Sequence, residues 1–165
     1  TIIGPAKNMD GPVGKIVQAF EGAGFDTSTA DDVEGLIWGK LIVNVGINAL
    51  TAITRLKNGR LPDVQGTRTV MEMAVKEAMG IADARGIHLP YPNPFERVME
   101  VCRATAENVA SMLQDVLARR MTEIQAINGA IVREGLKLGI PTPVNLTLTS
   151  LVEAIQETYD QRVDG

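Results

Sequence analysis

A row of three polar side chains on an otherwise apolar helix constrains this chain more than any other feature. Between Trp38 and Leu61 the sequence reads WGKLIVNVGINALTAITRLKNGRL. Lys40, Asn44 and Asn48 fall four residues apart in it, while Leu41, Val43, Ile47, Leu50 and Ile53 supply apolar bulk. At about 3.6 residues per turn, positions i, i+4 and i+8 form one gently drifting line. An ammonium and two carboxamides therefore project from the same side. Burying them without partners is unfavourable, because each forgoes hydrogen bonds to water. A plain core helix has little use for such a row, whereas a site that grips a small, oxygen-rich molecule does.

The chain on either side reads as helices joined by short Gly/Pro loops. Thr1 to Gly4 is expected as a short strand, Val13 to Phe20 as an amphipathic helix stopped at Gly22–Gly24, and Phe25 to Ser28 as a second strand. These look like the end of a β-α-β unit whose beginning is missing. The abrupt start without methionine points to a fragment. Asp31 and Asp32 suit an N-cap, and the long helix follows from Val33 to Leu56, ended by Asn58–Gly59 and Pro62. Helical spacing recurs from Thr67 to Arg85, closed at Gly86, and Leu89 to Pro94 is a proline-rich loop.

From Phe95 a helix with a break runs through the block Glu107 to Leu117, where Glu107, Asn108, Ser111 and Asp115 largely share a polar stripe. Thr122 is the expected N-cap of a helix over Glu123–Leu138. Asn145 is the expected cap of a last helix, Leu146–Tyr159, with Leu148, Leu151, Val152 and Ile155 inward. Met71, Met73, Met79, Met99 and Met112 read as core filler.

Composition excludes several function classes. The 165 residues suffice for a real core, and 45% hydrophobic with 22% charged residues is ordinary for a globular domain. A net charge of -4 without a Lys/Arg cluster gives no attraction to nucleic acid or to an anionic membrane. No uninterrupted apolar run approaches the ~20 residues of a membrane span. One cysteine, Cys102, fits a reducing compartment, and one histidine, His88, argues against a His/Cys metal site; both read as packing or surface residues. The expected location is the cytoplasm. Gly22-x-Gly24-x-x-Thr27 follows a helix and lacks a third glycine, and Gly11–Lys15 lacks P-loop spacing, so both read as structural turns.

Trp38-x-Lys40, Asn44, Asn48-x-Leu50-Thr51-Ala52-Ile53 and Asn58-Gly59-x-Leu61 together resemble the substrate-domain signature of ketopantoate reductases. These enzymes reduce 2-dehydropantoate to pantoate with NADPH, in pantothenate and coenzyme A biosynthesis. A second block, Glu107-Asn108-x-x-Ser111-Met112-Leu113-Gln114-Asp115 with Thr122-Glu123-Ile124 and Ile127-Asn128-Gly129, is similar to the same family. The resemblance implies a mainly α fold: a helical C-terminal dehydrogenase domain of the 6-phosphogluconate dehydrogenase type, over residues 31–165. Residues 1–30 would be the remnant of a Rossmann domain.

The resemblance also assigns roles. Lys40 becomes the general acid, since a lysine in a partly desolvated pocket can protonate the alkoxide formed at a keto carbon. The competing reading is a surface lysine paired with Glu34. Glu123 becomes the second catalytic residue, a carboxylate that accepts a hydrogen bond from the reacting hydroxyl; a plain helix N-terminal acid is compatible with that. Asn44, Asn48, Ser111 and Asn108 become substrate ligands, while Asn58 is equally a turn residue. Asp115, Arg119 and Arg120 read as structural charges.

NADP would sit mainly on the absent Rossmann domain, which is also the expected partner, so the chain alone is expected to be inactive. Its exposed face could instead pair in a homodimer. Two rival readings remain open: the helical domain of another 2-hydroxyacid dehydrogenase, and a non-catalytic helical interaction module.

Overall fold

The computed structural model describes residues 1–5 and 13–161. Nine elements follow in order: β1 (Ile2–Ile3), α1 (Val13–Gly22), β2 (Ser28–Thr29), α2 (Val33–Thr54), α3 (Gln65–Ala84), α4 (Pro94–Ala104), α5 (Ser111–Leu117), α6 (Asn128–Leu138) and α7 (Pro143–Glu157). Short 3-10 turns occupy Asn58–Arg60 and Ile124–Ala126. The mainly helical architecture is as expected, with a small α/β piece ahead of it.

Helix α2 is the axis of the fold. Asp32 caps it, its side chain accepting the Gly35 N–H at 2.7 Å, and Glu34 in the first turn meets the positive end of the helix dipole. The helix stops at Thr54, earlier than expected. Arg55 turns left-handed (φ 59°) and returns its N–H to Thr51 O at 2.8 Å, so Asn58–Gly59 does not end the helix but opens the next turn.

Helices α3, α4, α5 and α7 pack around α2, which buries Trp38, Ile42, Val45, Ala49 and Ala52. An 18-residue stretch of α2 averages 1.6 in hydropathy, long and apolar enough to cross a membrane by length and composition, yet 61% of it is buried within the chain. Counting only uninterrupted runs misses this, because glycine, lysine and asparagine break up an apolar total. Its place as the packed central helix accounts for that composition.

The remaining helices meet α2 with mostly predictable ends. Asn93 caps α4 through Glu96 N–H (3.2 Å), with Pro94 at the first helical position, and Gly86 and Gly139 close α3 and α6 with φ of 67° and 68°. Three further expectations of helix placement fail. Residues 105–110 are not helical, so Glu107 and Asn108 leave the stripe that Ser111 and Asp115 keep. The helix expected from Glu123 is divided: Glu123 precedes a 3-10 turn and α6 begins only at Asn128. Helix α7 begins at Pro143, so Asn145 lies inside its first turn and does not cap it through its own side chain. Of the residues expected in the core, Met73 and Leu151 are 49% and 47% exposed, whereas Met71 and Met112 are sealed.

Strands β1 and β2 pair in parallel, Ile2 with Ser28 and Ile3 with Thr29, across α1, so the β-α-β reading holds with the second strand shifted to Ser28–Thr29. Helix α1 buries none of its residues, and Ile16 and Phe20 stay exposed.

Candidate functional site

The polar row on α2 descends from solvent into the protein. Lys40 is exposed, Asn44 is half-buried and Asn48 is only 7% exposed. Helix geometry produces this gradient: each four-residue step overshoots a full turn by about 40°, so two steps swing the row by about 80° toward the core. None of the three side chains bonds to another described residue, and the amide of Asn48 keeps contact with solvent. Three polar groups thus run from the surface toward the core with their side-chain hydrogen-bonding capacity unspent among the described residues.

The desolvated pocket expected around Lys40 is not supplied by its sequence neighbours. Trp38 and Ile42 are buried, but residues two apart point to nearly opposite sides of a helix. The rival pairing with Glu34 is also unmade, because Glu34 lies 3.5 Å from Arg85, which also stacks over Trp38.

A second group of expected site residues gathers beyond the end of α2. Asn58 is 7% exposed; its backbone N–H donates to Asn108 O at 3.2 Å and its Nδ2 to Thr105 Oγ1 at 2.9 Å. Its Oδ1 is buried without a partner. Gly59 N–H donates to Ala106 O at 3.1 Å, and a Cβ there would lie 2.7 Å from Ala106 Cα, so only glycine permits this approach. The structure therefore brings Asn58 and Asn108 together through the backbone, with Asn108 exposed at the tip. Ser111 opens α5, exposed, and α5 packs on α2. Glu107 bonds to Lys57 at 2.7 Å, and that hydrogen bond and charge hold its carboxyl below the usual carboxylate range.

Glu123 is exposed, and its carbonyl accepts from Ala126 N (2.9 Å) and Ile127 N (3.1 Å), closing a tight turn just before α6. Lys40 and Glu123 form no ion pair. What connects the two segments is a buried amide network that sequence reasoning missed. Asn128 Nδ2 donates to Val45 O on α2 (3.3 Å) and to Asn145 Oδ1 on α7 (2.9 Å). Asn145 Nδ2 donates in turn to Ala74 O (3.0 Å) and to Glu77 Oε2 (2.7 Å) on α3. Two signals were available: Asn128 stood within the second family block, and Asn145 within a predicted helix start. Neither shows which distant groups an amide will meet.

The charges expected to be structural are engaged in ion pairs. Arg120 grips Asp115 through Nη2 (2.8 Å) and Nε (3.1 Å), and Arg119, left-handed at φ 53°, pairs with Asp160 at 3.0 Å. Cys102 is fully buried in the core, and burial pushes its thiol up to about 11 against a smaller opposing effect of Arg103. His88 is exposed. Among the described residues no three His, Cys, Asp or Glu side chains converge as a metal site would require.

The glycines at 22 and 24 form a helix end and not a phosphate loop. Gly22 ends α1 and Gly24 (φ 84°) follows it, so no strand leads into a helix N-terminus at these glycines. The Gly11–Lys15 cluster reaches into residues outside the described ones.

Residues 32–156 match the family described as ketopantoate reductase PanE/ApbA C terminal. A 2-dehydropantoate 2-reductase of Pyrobaculum aerophilum is 38% identical over 142 residues, covering 86% of this chain and 50% of that protein. The crystal structure of a PanE/ApbA family ketopantoate reductase from Ralstonia eutropha JMP134 superposes with a TM-score of 0.86 at 34% identity, covering 97% of this chain and 52% of that one. The ternary structure of D-mandelate dehydrogenase with NADH and anilino(oxo)acetate superposes with a TM-score of 0.85 at 26% identity, covering 96% of this chain and 67% of that one. The chain spans about half the length of the reductases it matches.

Proposed function

Because this chain belongs to the ketopantoate reductase family, through its match over residues 32–156, we propose that it is the substrate-binding part of an enzyme reducing 2-dehydropantoate to pantoate. The observation that carries the reading is the unpartnered row Lys40–Asn44–Asn48, which lies inside the matched region and has its polar groups free for a ligand.

Each residue has a distinct task in this reading. Lys40 Nζ gives its proton to the keto oxygen as negative charge develops there. Asn44 and Asn48 hold carboxylate and hydroxyl oxygens with donors and acceptors on one amide. Ser111 and Asn108 are assigned further substrate oxygens, with Asn58 tying down the loop that carries Asn108, and Glu123 accepts a hydrogen bond from the substrate hydroxyl. Since Lys40 is exposed here, the water exclusion that would tune it has to come from a surface facing α2.

That surface is assigned to a dinucleotide-binding domain of the same protein, of which residues 1–30 form the end and to which 31–165 attach. Support comes from the parallel β1–α1–β2 piece immediately before the Asp32 cap. A nicotinamide dinucleotide supplies hydride when bound there. It is NADPH on the family resemblance, and every step assigned to this chain concerns substrate and proton. A buried, unpaired cysteine suits the cytoplasm.

The test is an assay of the enzyme that contains this chain, with 2-dehydropantoate and NADPH against D-mandelate and NAD. Preferential turnover of 2-dehydropantoate supports the proposal, whereas preference for D-mandelate moves the chain to the related 2-hydroxyacid dehydrogenases that its fold also resembles.

A further inference from the structure

Asn128, the first residue of α6, ties that helix to the backbone of α2. It is completely buried, and its Oδ1 has no partner, a cost of about 1–3 kcal/mol for an orphaned acceptor. An apolar residue would remove that acceptor but orphan Asn145 Oδ1, which takes its hydrogen bond from Asn128 Nδ2. What the amide obtains instead is a bond to Val45 O, a backbone atom of the α2 turn between Asn44 and Asn48. Its orientation is not free: Asn145 Nδ2 donates to Ala74 O and Glu77 Oε2, so Asn145 Oδ1 must face Asn128 as an acceptor, and Asn128 must answer with its Nδ2. The Glu123–Ile127 turn abuts Asn128 directly, locked by two bonds to Glu123 O. One rigid turn and one buried amide thus join the Glu123 segment to the row on α2.

We propose that Asn128 is a positioning residue that sets Glu123 against Asn44 and Asn48 by clamping the start of α6 to Val45 O. The inference rests on the proposed role of Glu123 and goes beyond it by naming what holds that role in register. Removing the amide lets the turn shift, and displacements on the order of 1 Å at a reacting centre cost up to about 10²-fold in rate.

The experiment is a double-mutant cycle in the complete enzyme with 2-dehydropantoate as substrate, using Asn128→Ala and Glu123→Gln. Circular dichroism verifies that each variant is folded. Should Asn128→Ala fail to fold, Asn128→Ser, which keeps one donor, takes its place in the cycle. The expected result is a fall of about 10- to 100-fold in kcat for Asn128→Ala alone. In the Glu123→Gln background the same change costs no more than about 2-fold, because the residue being positioned is already disabled. Equal losses in both backgrounds, or an unchanged kcat in a folded Asn128 variant, overturn the positioning role while leaving the site itself intact. If Glu123→Gln alone keeps normal turnover, the reading of the site is wrong and the inference falls with it.

Discussion

Glu77 Oε2 lies 2.7 Å from Asn145 Nδ2 and 2.9 Å from the Asn145 backbone nitrogen, while Glu77 Oε1 lies 2.8 Å from Val144 N. One carboxylate on α3 therefore caps α7, whose own N-cap residue, Thr142, makes no side-chain bond. Glu77→Ala strips three donors of their acceptor and removes a negative charge from a helix N-terminus. The expected loss is about 1–3 kcal/mol, measured by urea denaturation of the chain. Glu77→Gln, which retains one acceptor oxygen, should lose less.

Two glycines should respond to alanine in opposite directions. Gly59→Ala pushes a methyl against the Ala106 backbone, so the loop carrying Asn108 must move, at about 1–3 kcal/mol. Gly80, mid-helix in α3, has nothing within 4 Å of its would-be Cβ, and Gly80→Ala should stabilise by about 0.5–1 kcal/mol. Paired thermal melts check both signs.

Cys102 should be silent toward thiol reagents in the native protein. Its thiol is sealed in the core and its pKa is pushed up to about 11, so at pH 8 almost no thiolate is present and none is reachable. Colour development with a disulfide reagent should appear only on adding denaturant. Rapid reaction without denaturant would contradict the packing around α4.

The difference between what the sequence reveals and what it hides is physical. The row Lys40–Asn44–Asn48 was legible because a single helix fixes its own side-chain directions. Its gradient of exposure was not, since a 40° drift per step matters only once the core lies on a known side. Asn58 and Asn108 were named separately, but the backbone bond that joins them spans a loop whose path local propensity does not set. Asn145 looked like a cap because asparagine before an apolar run usually is one. Pro143 started α7 three residues earlier than expected and left the amide facing inward to Glu77 and Asn128.

Asn48 should show a conflict between stability and function. Its side chain is nearly buried yet bonds to no described residue, so Asn48→Leu removes an under-used polar group from an apolar helix. Unfolding free energy should be unchanged or higher by up to about 1 kcal/mol. KM for 2-dehydropantoate should rise, since the proposed role of the amide is binding present in both ground and transition states.

Lys40 tests the account most directly, because the proposed chemistry rests on it and it contributes little to the fold. It is exposed and pairs with nothing among the described residues, so Lys40→Ala should leave stability within about 0.5 kcal/mol. The measurement is kcat of the complete Lys40→Ala enzyme with 2-dehydropantoate and NADPH. A fall of at least ~10²-fold is predicted, the usual contribution of a general acid. Turnover near that of the unmodified enzyme would contradict the assignment and return the polar row to the status of a solvated helix face.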